Sequence, residues 1–138
     1  MLPNEVVYSD QLFIIAYPQY SPLAILQSRV HEIWARFFSS TLEDRLRYAP
    51  SDCFHTFPFP PDFDADAALE AIVKIYYSFR AQLMIDRDEG LTKTYNRFHA
   101  PEESAPDILR LRELHAELDT SVLQAYGWTD LQSTAVQR

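Results

Sequence analysis

The sequence holds few of the residues from which common cofactor sites are built. Only two glycines occur in its 138 residues, Gly90 and Gly127. Loops that cradle phosphates need several closely spaced glycines, because the backbone must approach the ligand. The wide separation of these two glycines therefore excludes a P-loop and a dinucleotide-binding fingerprint.

The sequence also lacks a second cysteine, histidines at the spacing of metal ligands, and a long apolar run. Cys53 is the sole cysteine, so no internal disulfide can form and a reducing, cytoplasmic setting is expected. No apolar run reaches the length of about 18 residues that a bilayer span requires, and no signal peptide is recognisable, so no membrane contact is expected. The histidines are not spaced as metal ligands usually are. Cys53 follows an acidic residue, and a neighbouring carboxylate makes a thiol less nucleophilic. We therefore predict no catalytic and no metal-binding residues.

Positive charge is scarce as well. Twelve Lys and Arg stand against twenty Asp and Glu, which gives a net charge of −8. Contact with phosphate backbones needs clustered positive charge, so such a chain is by default a poor nucleic-acid binder. Residues 1–60 carry four arginines against six acids, and residues 61–138 carry eight basic against fourteen acidic residues. A nucleic-acid face is expected in the first part, and a scaffold or protein-contacting unit in the second.

One basic and aromatic grouping lies in the first part. It consists of three arginines and a tyrosine: Arg36, Arg45, Arg47 and Tyr48. Arginines donate to phosphates or to base edges, and the hydroxyl residues at 39–41 can donate to phosphates too. The same arginines can instead pair with nearby acids, namely Glu43, Asp44 and Asp52. The residues alone leave both interpretations open.

The pattern of residues 1–61 predicts an α+β arrangement. A β-hairpin is expected over 6–17, and its second run, 12–17, is apolar on both faces and should be buried on both. One helix should follow, with Ser21 as N-cap and Pro22 in the first turn. Its predicted apolar face comprises Leu23, Leu26, Val30, Ile33, Trp34 and Phe37. A short strand is predicted at 53–57, where the following prolines end it.

Residues 62–131 predict an antiparallel pair of long helices. Asp64 or Asp66 should cap the first helix, and Gly90 should end it. A loop is expected over 92–103. Ser104 should start the last helix in a capping box, and Gly127 should end it. The chain is thus divided into an α+β unit (1–61), a helical scaffold segment (62–131) and a frayed tail (132–138).

Four stretches of the sequence, taken in order, carry a family resemblance: LQSRVHEIWARFFSSTLEDRLRY, FHTFPFP, DEGLTKTYNRFHAPEE and LRELHAELDTSVLQAYGWTDL. The first two resemble the end of the target recognition domain in large bacterial DNA adenine methyltransferases. These are the type IIG-like restriction–modification enzymes and their phage-defence relatives. The last two resemble the helical segment that follows that domain. The similarity extends from about Leu2 to Leu131.

The resemblance also indicates what is missing. The catalytic half of such enzymes carries a glycine-rich S-adenosylmethionine loop and an Asn-Pro-Pro-Tyr motif that holds the flipped adenine. Neither occurs in this sequence, so the chain is expected not to be an enzyme by itself and to hold no cofactor, although its parent would use S-adenosylmethionine. The first residues, Met1 to Asn4, resemble an interior point of the family sequence. A truncated gene product, a split-gene subunit or a mis-assigned start is therefore expected.

The resemblance implies a non-catalytic C-terminal fragment or subunit that serves DNA target recognition and scaffolding. Its expected partners are DNA, in the context of the parent enzyme, and a methyltransferase catalytic domain or subunit. Arg36, Arg45 and Arg47 are the predicted DNA-binding residues. Apolar surface that the parent would cover should make the isolated chain self-associate. The alternative is a stand-alone acidic helical module that binds proteins and has no DNA role.

Overall fold

A computed structural model describes residues 13–42 and 45–131, and for residues 40–42 and 45–47 it describes the backbone alone. Six α-helices and two strands follow one another along these ranges. They are α1 (Ser21–Gln27), α2 (Arg29–Phe38), β1 (Ser40–Leu42), β2 (Arg45–Arg47), α3 (Pro50–Cys53), α4 (Ala67–Arg87), α5 (Leu91–His99) and α6 (Pro106–Ala125). Single 3-10 turns lie at Phe63–Ala65 and Thr129–Leu131.

The predicted α+β fold class is wrong, because the described part of the chain is helical apart from β1 and β2. These strands have three residues each, pair antiparallel, and lie in a stretch for which no strand was predicted. Of the predicted hairpin over 6–17, residues 6–12 lie outside the described residues. Residues 13–17 form no regular secondary structure, and they are exposed instead of buried on both faces.

The strand predicted at 53–57 is also wrong. Pro50 opens the short helix α3, where its missing N–H costs nothing. Cys53 ends that helix in a buried position, and a turn follows in which the Phe54 N–H donates to the Pro50 carbonyl at 3.0 Å. The alternation of polar and apolar residues here reflects a helix end followed by a turn.

The single helix predicted from Ser21 consists of two helices, α1 and α2. Ser28 breaks it, since its backbone is extended (ψ 158°) and it serves as N-cap of α2. Ser21 is not the N-cap of α1, because Tyr20 occupies that position. The break changes which face of the second helix is buried, and Ile33 and Phe37 of the predicted apolar face are exposed.

Helices α4 and α6 lie antiparallel and form the centre of the fold. Arg87 at the end of α4 is paired with Asp107 at the start of α6. Asp66 caps α4, as predicted, and its carboxylate accepts the N–H groups of residues 68 and 69 at 2.8 and 3.0 Å. The helical pattern of the sequence predicts an apolar face on each helix, and most of its residues are buried: Leu69, Ile72, Val73, Tyr76, Leu83, Ile108, Leu111, Leu118 and Val122. Phe79, His115 and Ala125 of the same predicted faces are half-buried.

Three details of the helix ends differ from the prediction. Asp88, not Gly90, takes the left-handed conformation that ends α4 (φ 50°), and Gly90 instead precedes α5. The predicted Ser104 capping box is wrong, because Ala105 is the N-cap of α6 and makes no side-chain cap. Gly127 (φ 72°) does end α6, and its neighbours close the backbone bonds of a Schellman motif.

The predicted loop over 92–103 is wrong in its larger part, since residues 91–99 form helix α5. Only Thr94 of this helix is buried. Leu91, Tyr95 and Phe98 recur at helical spacing, so the sequence does carry a pattern for this helix. Phe98 packs against the core, and polar contacts join the helix to α6.

One hydrophobic core joins the two regions into which the sequence was divided. Ala24, Ile25 and Phe57 from the first region pack with the buried residues of α4 and α6. The division at residue 61 and the frayed tail, whose residues 132–138 lie outside the described ranges, stay predictions. Among the helices that the structure describes, none has the length and apolar character to cross a membrane.

Candidate nucleic-acid interface

The basic residues of the helical part are engaged within the chain. Between residues 61 and 131, every lysine and arginine contacts an acceptor of the chain itself. The carboxylate partners are Glu70 for Lys74, Asp107 for Arg87, Glu89 for Lys93, Glu89 and Glu103 for Arg97, and Glu113 and Glu117 for Arg110. Arg80 donates to Gln27 and Tyr76, and Arg112 donates to backbone carbonyls. Arg87 and Arg97 are the least exposed of these paired residues, whereas Lys74 and Lys93 are more than half exposed, so water and salt weaken their pairs.

Helix α2 presents arginines to solvent. Arg36 lies in its last turn, and its Nη2 is 2.8 Å from Glu32 Oε1. Both side chains are more than half exposed, so water and salt weaken this pair, and Arg36 can exchange it for a phosphate. The side chain of Arg29 is exposed, and its charge acts on the nearby Asp119, where it opposes the effect of burial on the pKa of that carboxyl. Sequence reasoning missed Arg29, although its spacing of seven residues from Arg36 places both on one helix face.

Arg45 and Arg47, the other predicted DNA-binding residues, lie in β2. Their backbones pair with Leu42 and Ser40 across the hairpin. The hairpin begins two residues after α2 ends, which places the three predicted arginines in neighbouring elements, α2 and β2. Their contact with DNA stays a prediction.

Carboxylates from the helical part hold the first turns of α1 and α2. Glu70 Oε2 of α4 accepts the N–H groups of Tyr20 and Ser21 at 2.7 and 2.8 Å. The hydrogen bond from Lys74, with these two backbone donors, lowers the pKa of Glu70. Asp119 Oδ1 of α6 accepts the N–H of Arg29 at 2.8 Å. Both helices therefore receive from distant residues the anion that a helix N-terminus favours.

The hydrogen bond between Asp119 and the first turn of α2 can be tested by substitution. The residue is 6% exposed, and burial raises the pKa of its carboxyl. Replacing Asp119 with alanine should lower the free energy of unfolding by about 1 kcal/mol, because the first turn of α2 loses its acceptor. Asp119→Asn keeps an acceptor and removes a buried charge, so it should be at least as stable as the wild type at pH 7. Urea denaturation measures both, and an equal loss in the two variants would contradict the anchoring role.

An aromatic ladder connects the exposed segment before α1 with the end of α2. Neighbouring ring centroids along it are 4.3 to 6.0 Å apart. Its members in order are Tyr17, Phe63, Phe59, Phe57, Trp34, Phe38 and Phe37. The edge of His31 meets the same ladder at Phe57, with centroids 4.6 Å apart. Phe57 thus packs against His31 and Trp34 of α2.

A polar network crosses the helices at one end of the core. Arg80 donates to Gln27 Oε1 at 3.1 Å and to the Tyr76 hydroxyl at 2.7 Å. The Tyr95 hydroxyl lies 2.6 Å from that of Tyr76 and 2.9 Å from Nε2 of His115. Burial lowers the pKa of His115 to about 4, so its ring is neutral at pH 7 and shares a hydrogen bond with the Tyr95 hydroxyl through Nε2. The network joins α1, α4, α5 and α6, and it serves their packing.

The described residues do not fit a methyl-donor or metal site. A nucleotide cradle uses glycine where a side chain would collide with the ligand-facing backbone. A Cβ atom at Gly90 or Gly127 would meet nothing within 4 Å, so neither glycine lies in such a cradle. Within the described ranges, no three His, Cys, Asp or Glu residues converge in a way that could hold a metal ion.

Comparisons with known proteins agree with the family resemblance seen in the sequence. The family model "MmeI, target recognition domain" matches residues 1–61. DNA methyltransferase A of Bacillus subtilis (strain 168) is 27% identical over 131 residues, which cover 94% of this chain and 14% of that protein. No solved structure matches the chain. The predicted resemblance to restriction–modification DNA methyltransferases, with their target recognition domain, is confirmed.

Proposed function

We propose that this chain contributes DNA target recognition to a DNA methyltransferase and does not itself transfer methyl groups. One observation carries the proposal. The segment that matches a target recognition domain contains all four basic residues of the first sixty between positions 29 and 47, and α2 exposes two of them, Arg29 and Arg36. DNA binding depends on arginines and lysines that are free to contact phosphates and bases.

In this proposal the two parts of the chain divide the work. Residues 1–61 face DNA, and α4 with α6 hold them in place through the shared core and through Glu70 and Asp119. A catalytic domain or subunit of the methyltransferase would bind S-adenosylmethionine and carry out the reaction. Lacking a glycine cradle, the residues of this chain are left with binding and orienting the DNA.

The double variant Arg45→Ala/Arg47→Ala tests the proposal. We expect it to weaken salt-sensitive binding of the chain to duplex DNA, because the two arginines of the hairpin are removed. Any residual binding should lose about two units from the slope of log K against log salt concentration, since each phosphate contact contributes about 0.9. Fluorescence anisotropy with a labelled pool of random-sequence duplexes, repeated over a salt series, measures both.

Arg110→Ala is the matched control. Arg110 is an exposed arginine on α6 whose guanidinium contacts Glu113 and Glu117 at 3.0 and 2.9 Å. Its loss lowers the charge without touching α2 or β2, so affinity and slope should stay close to the wild type. Equal effects of Arg110→Ala and the double variant would show that binding depends on net charge alone. Unchanged binding in the double variant would remove Arg45 and Arg47 from the interface.

A further inference from the structure

Helix α2 buries a polar side chain and exposes apolar ones. His31 is 5% exposed, with its Nε2 3.0 Å from the Tyr48 hydroxyl and its Nδ1 buried without a partner within the described residues. On the same helix Ile33 is 63% and Phe37 80% exposed. Folding normally selects the opposite arrangement. Positions where a chain breaks such a local rule are concentrated at functional sites.

The exposed apolar residues stand next to arginines. Arg29, Ile33, Arg36 and Phe37 follow one another at helical spacing and are all exposed. Arg29 and Arg36 are seven residues apart, which is about 10 Å along the helix axis. All four basic residues of the first sixty, counting Arg45 and Arg47, lie between positions 29 and 47. Ile33 therefore lies between Arg29 and Arg36, and Phe37 lies beside Arg36 at the end of the row that leads to the hairpin.

These charges favour DNA over protein as the occupant of the row. A protein that covered Ile33 and Phe37 would also desolvate the exposed arginines beside them, Arg29 and Arg36, and would have to supply acids there. DNA supplies phosphates on both sides of its base edges. Apolar side chains beside arginines match that order, because Phe and Ile contact thymine methyl groups or enter a base step while arginines hold the backbone.

We propose that the exposed row of α2 lies against DNA, with Phe37 in contact with a base and Arg29 and Arg36 on phosphates. This rests on the proposed DNA-recognition function and deepens it. Continuity supports it, since α2 leads within two residues into the hairpin that carries Arg45 and Arg47. Asp119 and the buried His31 then hold the opposite side and the start of α2, so that the row faces outward.

Site-specific photocrosslinking of the full chain tests the proposal. The photoreactive residue p-benzoylphenylalanine replaces one residue at a time: Phe37 in the row, Thr41 in β1, and Ile85 as control. Ile85 is 71% exposed on α4, a matched apolar position away from α2. Each protein is irradiated with the labelled random-sequence duplex pool, and adducts with DNA and with a second chain are separated by size.

We expect a DNA adduct from position 37 and none from position 85. An adduct from position 41 without one from position 37 would overturn the inference and leave the proposed function standing. A chain-to-chain adduct at position 37 that persists with DNA would assign the row to an interface between copies. No DNA adduct from any position, together with no DNA binding by the wild type, would overturn the inference and the proposed function together.

Phe37→Ala gives an independent measurement. Base stacking or wedging by an aromatic ring carries no charge, so its loss should weaken DNA binding about tenfold while the salt slope stays unchanged. Phe37→Tyr should retain most of the affinity. Because Phe37 is so exposed, neither variant should change the unfolding transition. Wild-type affinity in Phe37→Ala would contradict the proposed base contact.

Discussion

Replacing Arg112 with methionine should lower the free energy of unfolding by about 3 kcal/mol. The Arg112 guanidinium donates at 2.7 to 3.3 Å to four backbone carbonyls that end α5 and lead into α6. They belong to Arg97, Phe98, Ala100 and Glu103. A hydrogen bond from a charged donor contributes about 1.5–3 kcal/mol, and acceptors left without a donor add a desolvation cost. Methionine keeps the length of the apolar stem, so the loss reports on the hydrogen bonds.

Two further variants separate the explanation from simple loss of charge. Arg112→Lys keeps the charge but has no planar fork to reach four carbonyls, so most of the loss should remain. Arg110→Met, on the same helix, removes an exposed arginine whose carboxylate partners are also exposed, and should cost less than about 1 kcal/mol. Urea denaturation gives all three values. If the Arg110 and Arg112 variants lost equal stability, the carbonyl contacts of Arg112 would not matter.

Acid should destabilise the chain well before its carboxylates titrate. The folded pKa of His115 is about 4, because the ring is buried and Arg80 lies near, whereas an unfolded histidine titrates near 6.5. Between these values the unfolded chain binds a proton that the folded chain does not bind. Stability is therefore fully present above pH 6.5 and falls with pH at up to about 1.4 kcal/mol per unit, or about 3 kcal/mol by pH 4.

Other groups act in or near the same window. Burial also lowers the pKa of His31, so it contributes in the same direction. The raised pKa of Asp119 acts in the opposite direction, because its folded form takes up a proton first as the pH falls. The pKa values of Glu70, Glu103 and Asp107 are lowered in the folded chain. The stability that these carboxylates contribute is lost as the pH falls below the ordinary carboxylate pKa. A difference between variants is therefore the informative measurement.

His115→Gln isolates the histidine, since the glutamine oxygen can still accept from the Tyr95 hydroxyl. Unfolding free energies measured from pH 7 to pH 4.5 should fall less steeply in this variant than in the wild type. His55→Gln, at an exposed position, is the control and should follow the wild-type profile. Parallel profiles for wild type and His115→Gln would show that His115 takes up its proton equally well in both states.

The sequence predicts α4 and α6 best, because their apolar residues recur at helical spacing and both helices face one core. Helix α5 is missed although Leu91, Tyr95 and Phe98 recur at helical spacing, because Gly90 is assigned to the end of α4 and a loop is expected after it. The break at Ser28 is missed for a different reason. The carboxylates that cap α1 and α2 come from residues 70 and 119, which local sequence around the break does not reveal.

For the candidate site, the sequence identified Arg36 and the hairpin arginines by their grouping alone. It missed Arg29 and assigned Phe37 to the core, because a helical wheel locates an apolar face without telling what covers it. The orientation of α2 depends on His31, Tyr48 and Phe57, whose contacts span 17 and more residues. The family resemblance, by contrast, was available from the sequence and is confirmed for residues 1–61 by the matching family model.

If the proposed recognition segment is exchanged between related chains, Glu70 and Asp119 determine whether α1 and α2 keep their caps. A graft that ends at residue 61 would carry the arginines but leave both anchoring carboxylates in the donor. Isolated helices of seven and ten residues are marginal in water. The smallest exchangeable unit therefore extends through α6 and includes residues 70 and 119.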